Sequence, residues 1–106
     1  MNQKFADLVP STKVSACPSC ASYVYTLPFA LNADVQESLA PLGNVKYDLK
    51  KYKIFKIDNE NFVISSRINT NKITVKFKTD IDNNKKLFEI HLAGYVELKM
   101  NCKIEV

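Results

Sequence analysis

The chain has 106 residues, of which 46 % are apolar and 25 % charged, with a net charge of +4. This length makes one domain with a modest core, and the composition excludes a chain disordered throughout. No run approaches the ~20 apolar residues of a membrane span, so a membrane partner is not expected.

The charge is unevenly placed. Residues 44–79 hold nine basic side chains against three acidic ones, a local charge of +6 that leaves −2 for the remainder. Such asymmetry points to an anionic partner or to a solvated, lysine-protected sheet face. The polar Met1–Lys13 segment lacks the apolar core of a secretory signal, so a cytoplasmic or virion location is expected.

Residues 1–20 show no period and contain Pro10 and Pro18. They read as a flexible N-terminal arm, with 21–106 as a single β-rich domain. Ser22 to Leu31 is rich in aromatic and β-branched residues and reads as a strand, which Pro28 places at an edge or a bulge. A short helix follows, with Val35, Leu39 and Leu42 on one face and a capping-box spacing from Asp34 to Glu37. Pro41 ends it, and Gly43 suits a left-handed exit.

From Asn44 onward the chain alternates as a meander. Val45, Tyr47 and Leu49 lead to a bulge near Lys50–Lys51, after which Tyr52 and Ile54 take over the apolar parity. Phe62, Ile64 and Ile68 face inward on the next strand, and Ile73, Val75 and Phe77 on the one after it. With only two glycines in the chain, the turns at 58–61, 69–71 and 80–86 fall to Asn and Asp. From Phe88 to Val106 every even position is apolar or glycine, the signature of a long half-buried strand bending at Gly94. Nineteen residues would span ~60 Å as a strand, so part of it must bend or leave the domain.

The fold expected is therefore strand-rich α+β: a curved antiparallel meander of about five to six strands with one short helix. A β-sandwich or barrel with one helix is the alternative. In element order this resembles the cystatin and helix-grip layouts. The cystatin Gln-x-Val-x-Gly loop is absent, and no function follows from the resemblance.

Chemistry-bearing patterns are few. Cys17-Pro18-Ser19-Cys20 could chelate zinc or cycle as a dithiol, but a zinc site needs about four ligands. The other sulfur and imidazole, Cys102 and His91, fall on opposite faces of the expected strand. No metal and no cofactor are expected, with Cys17 and Cys20 the only metal candidates. His91 reads as an exposed strand residue beside Glu89. No paired carboxylates, triad or Gly-rich phosphate loop occurs, so the chain is not expected to be an enzyme.

The leading expectation is a non-enzymatic structural, assembly or protein-interaction module, such as a subunit of a viral complex. It would self-associate or bind protein partners through its terminal strand, with Val96, Leu98, Met100 and Ile104 at the interface. The first alternative is nucleic-acid binding by a basic sheet face comprising Lys46, Lys50, Lys51, Lys53, Lys56, Lys72, Lys76 and Lys78, with Tyr47, Tyr52 and Phe55 for stacking. The second is an apolar-ligand carrier with a groove formed by Phe29, Leu31, Val35, Leu39 and Tyr47.

Overall fold

The computed structural model describes residues 3–18, 20–32, 34–47, 54–67 and 69–106. In chain order the elements are β1 (Gln3–Lys4), α1 (Phe5–Leu8), β2 (Ser11–Cys17), β3 (Cys20–Thr26), α2 (Asp34–Leu39) with a 3₁₀ turn at Ala40–Leu42, and β4 (Asn44–Tyr47). Then come β5 (Ile54–Asp58), β6 (Phe62–Arg67), β7 (Lys72–Phe77), α3 (Ile81–Met100) and β8 (Ile104–Glu105). The main sheet has six strands in the order β2-β3-β7-β6-β5-β4, with every neighbouring pair antiparallel. It is an open sheet with β2 and β4 as edges, so the fold is strand-rich α+β and not a barrel.

Alternation decides the sheet's two faces. Tyr25, Phe55, Ile57, Phe62, Ile64, Ile73, Val75 and Phe77 are all buried on one face. The chain leaves β3, crosses that face through α2 and reaches the far edge at β4. It then returns strand by strand to β7, and α3 lies over the same face. The predicted meander and short helix are thus present, while Pro28 lies after β3, which is an interior strand. The expected bulge near Lys50–Lys51 and the expected inward placement of Ile68 lie outside the described residues.

Two expectations are corrected. The stretch 88–106 is not a strand: α3 takes residues up to Met100, and only Ile104–Glu105 is extended. Phe88, Leu92 and Val96 satisfy period 2 and period 3.6 together, because spacings of four residues fit both. The even positions between them tell the two apart, and Ile90 and Leu98 are exposed while Tyr95 is buried. Length settles the matter physically. The 20 residues of α3 make a rod of about 30 Å, which fits within 38 × 33 × 22 Å, and Leu, Lys, Glu and Ala favour the helix. The main helix is therefore this one, and the third expected turn is its first turn.

The other correction concerns the N-terminus. The expected flexible arm is instead built into the fold: Phe5 and Val9 are buried, and β2 forms a hairpin with β3. β1 pairs in parallel with β8, Gln3 opposite Ile104 and Lys4 opposite Glu105, so the two ends of the described chain are tied together.

Asparagine and aspartate take the places where glycine is usual. Asn69, Asp80 and Asn101 have positive φ, and Asn101 ends α3 in the left-handed conformation. Asn59 closes its turn by accepting from the Asn61 and Phe62 amides and donating to the Leu42 carbonyl. The two glycines differ in kind. Gly43 is extended at φ 173°, so the expected left-handed exit does not occur; a Cβ there would stand 2.5 Å from the Asp58 carbonyl oxygen. Gly94 sits in the middle of α3, where a Cβ would meet nothing within 4 Å. A helix-interior glycine costs about 0.5–1 kcal/mol against alanine, and nothing inside the molecule requires it.

Phe88 stands 5.2 Å from Tyr25, 6.0 Å from Phe62 and 6.2 Å from Phe77, centroid to centroid. Phe88→Ala should therefore destabilise by about 3–5 kcal/mol. Gly43→Ala should cost about 1–3 kcal/mol through overpacking against the Asp58 backbone. Urea unfolding checks both, and a change below 1 kcal/mol for Phe88→Ala would contradict the packing described.

Candidate anion-binding sheet face

On β7, Ile73, Val75 and Phe77 point into the core, so Lys72, Thr74 and Lys76 point away from it. Register aligns neighbours on that outer face. Thr74 pairs with Ser65 and Ser65 with Lys56, while Lys76 pairs with Val63 and Arg67 with Ile54. The result is a face that no described helix covers, carrying Lys56, Arg67, Lys72 and Lys76. A shallow depression of about 400 Å³ lies among Ile54, Lys56, Ser65, Arg67, Thr70, Lys72 and Thr74. Its floor offers hydroxyls between the cations.

The ion pairs separate these cations from the others. Lys78 binds Asp58 Oδ1 at 2.7 Å and donates to the Asn59 carbonyl at 2.8 Å. Lys85 pairs with Glu89 and lies 4.9 Å from the Tyr23 ring centroid. Lys99 binds Asp34 Oδ2 at 2.7 Å. Among the described residues, no carboxylate forms an ion pair with Lys56, Arg67, Lys72 or Lys76.

The predicted basic residues thus divide. Lys56, Lys72 and Lys76 share the open face, and Lys78 is held in a structural clamp at its end. Lys46 lies on edge strand β4, and Lys50, Lys51 and Lys53 lie outside the described residues, as does Tyr52. Phe55, expected to stack on bases, is instead buried at 1 % exposure, because its odd position on β5 faces α3. Arg67 was absent from the expected set. The outward parity of Val63, Ser65 and Arg67 against buried Phe62 and Ile64 was the signal that could have found it.

The expected interface residues are scattered by helical geometry. Val96 is fully buried in the core, Leu98 is 83 % exposed, Met100 is exposed, and Ile104 packs half-buried in β8. They form no strand edge. Of the expected apolar groove, Leu31, Val35 and Leu39 are core residues and Phe29 packs half-buried against the core, while the Tyr47 side chain lies outside the described residues. His91 is no exposed strand residue: its Nε2 lies 2.8 Å from the Ser38 carbonyl oxygen, linking α3 to α2. Cys17 and Cys20 face each other across the β2–β3 hairpin and form a disulfide, so neither presents a thiolate to a metal. Among the described residues, no group of three or more His, Cys, Asp or Glu side chains could hold a metal. Nor is any described helix long and apolar enough to cross a membrane.

Two phenols carry buried hydroxyls on the covered side. Burial, and then the hydrogen bond to Glu89, pushes the Tyr25 hydroxyl far above its ordinary value. Tyr95 is raised likewise by burial and by its bond to Asp34. Burial by itself would raise the Asp34 carboxyl, but hydrogen bonds from Lys99 and Tyr95 outweigh it and hold the group below its ordinary value. The expected capping box therefore does not form as read, since this carboxylate faces α3.

A carboxyl depressed in the folded state stabilises above its unfolded value, ~3.9, and that contribution is lost as pH falls through the folded value. Asp34→Asn should lower Tm at pH 7 and flatten the fall of Tm on acidification below pH ~4. Thermal melts across that range check it; an unchanged slope would contradict the assignment.

Comparison of the chain with protein-family models, with curated proteins and with solved structures finds no match.

Proposed function

We propose that the protein is a non-catalytic binding module whose open sheet face docks a single strand of nucleic acid through its phosphates. The observation that carries this is the placement of Lys56, Arg67, Lys72 and Lys76 on one uncovered face without a described carboxylate partner. Arginine and lysine make charge-assisted hydrogen bonds to phosphate, and arginine can do so with two parallel donors. Ser65 and Thr74 add neutral donors between them.

Spacing favours a polymer over a small anion. Lys72 and Lys76 are four residues apart on one strand, roughly 13 Å between their backbones, and Lys56 lies two strands from β7, roughly 10 Å away. These separations exceed the ~8 Å screening length at physiological salt. Lys72 and Lys76 therefore act on separate phosphates, with Lys76 standing apart from the group of Lys56, Arg67 and Lys72 that lines the depression. With no described aromatic side chain on this face, binding rests on charge and is insensitive to sequence.

Four phosphate contacts give a slope of log K against log salt of about −2.8 for a single strand. Fluorescence anisotropy with a labelled uridine 20-mer should show binding at 50 mM salt that weakens steeply by 200 mM. Arg67→Ala and Lys72→Ala should each reduce the slope by about 0.7. Lys78→Ala should reduce stability without changing the slope. No binding at 50 mM salt would overturn the proposal. So would displacement by polyglutamate as readily as by RNA, which would mark an acidic protein as the partner.

A further inference from the structure

The outer face of α3 carries a second surface, independent of the basic one. Leu87, Ile90 and Leu98 are 61 %, 50 % and 83 % exposed, and with Gly94 they line one stripe along the helix. Exposed apolar residues standing singly are ordinary. A stripe running along three turns, with a glycine at its middle, is not.

Gly94 supplies the second observation. A side chain there would touch nothing in this molecule, and a glycine in mid-helix sacrifices stability. Small residues at a helix surface allow another backbone to approach closely, and the notch at Gly94 is open to such an approach. Lys86 and Glu97 flank the stripe on the same side, eleven residues apart and so only about 20° apart around the axis. Glu97 Oε1 also accepts from the Ile104 amide within the subunit at 2.8 Å, so it is the charge of its carboxylate that a partner's lysine would meet.

We infer that the protein forms a two-fold symmetric homodimer through α3, with the two helices antiparallel and crossing at the level of Leu92. In that arrangement Ile90 enters the notch at the partner's Gly94, and Leu87 meets the partner's Leu98. Lys86 faces the partner's Glu97, and the two-fold axis repeats each contact. Parallel pairing would instead place Lys86 and Glu97 of the two copies on opposite flanks of the seam, so the Lys86–Glu97 pairs form only in the antiparallel arrangement. A second copy satisfies the surface because the stripe is its own complement in both shape and sign.

Sedimentation velocity on the full chain, from micromolar to millimolar concentration, tests this. The expected result is a concentration-dependent dimer. Ile90→Asp should abolish it with the far-ultraviolet circular dichroism unchanged. Gly94→Leu should weaken the dimer at least tenfold while the Tm of the dilute monomer rises or holds, since the new side chain meets nothing within the subunit. Lys86→Glu should weaken it, and the double change Lys86→Glu with Glu97→Lys should recover part of the loss. A strict monomer at millimolar concentration would overturn the inference. A dimer indifferent to both Ile90→Asp and Gly94→Leu would do the same, by placing the contact elsewhere, such as the exposed edge strand β2.

Discussion

Phe88 joins the two layers of this fold, because its ring meets Tyr25 from β3, Phe62 from β6 and Phe77 from β7. β3 is distant in sequence from β6 and β7, so one side chain on α3 holds together the hairpin and the meander. The tight contact has a polar consequence. It buries Tyr25 completely, and a buried hydroxyl without a partner costs several times what a satisfied one contributes. Glu89, one position along the helix, accepts that hydroxyl, and Lys85, one turn back, neutralises Glu89. Among the described residues no buried side-chain polar atom lacks a partner.

The same constraint makes the basic face. With α3 and α2 on one side of the sheet, alternation sends every second residue of β5, β6 and β7 to the other side, where lysine, arginine, serine and threonine are solvated. Among the described residues the face also contains one carboxylate, Asp58, which is held by Lys78 at the end nearest the Asn59 turn. Among the described residues the ion pairing therefore lies at one end of the face, and Lys56, Arg67 and Lys72 cluster around the depression at the other.

The legible parts of the sequence were those where one periodicity dominated. Lys72 to Phe77 alternates without a break, and Val35, Leu39 and Leu42 fit only a helix, so β7 and α2 were readable. Residues 88–106 carry apolar groups at both spacings, since Ile90 and Leu98 add to the buried set and hide its helical period. Those residues confuse the pattern because they face outward from α3. Residues 3–17 defeat sequence reading for another reason. Only Phe5, Val9 and the half-buried Leu8 reach the core, too few to show a period, and β2 is exposed along its whole length. Its structure comes from pairing with β3 and not from its own pattern. Arg67 was overlooked as part of a site because a single arginine among serines makes no charge run. It joins Lys56 and Lys72 only through strand pairing.

The two surfaces lie on opposite sides of the subunit, because α3 stands between the sheet and its own outer stripe. Pairing through α3 gives four layers in the order sheet, helix, helix, sheet, with both basic faces pointing outward. At roughly 10 Å per layer spacing, those faces are ~30 Å apart and back to back. A short strand lying flat on one face cannot reach the other. The proposed dimer would therefore gain nothing in affinity for short strands, and its second face would act only on a separate molecule or a distant segment of the same one. Effective concentration at that face depends on the intervening chain being long enough to pass around the molecule. If both proposals hold, this geometry would make the dimer a bridge between strands in preference to a clamp on one.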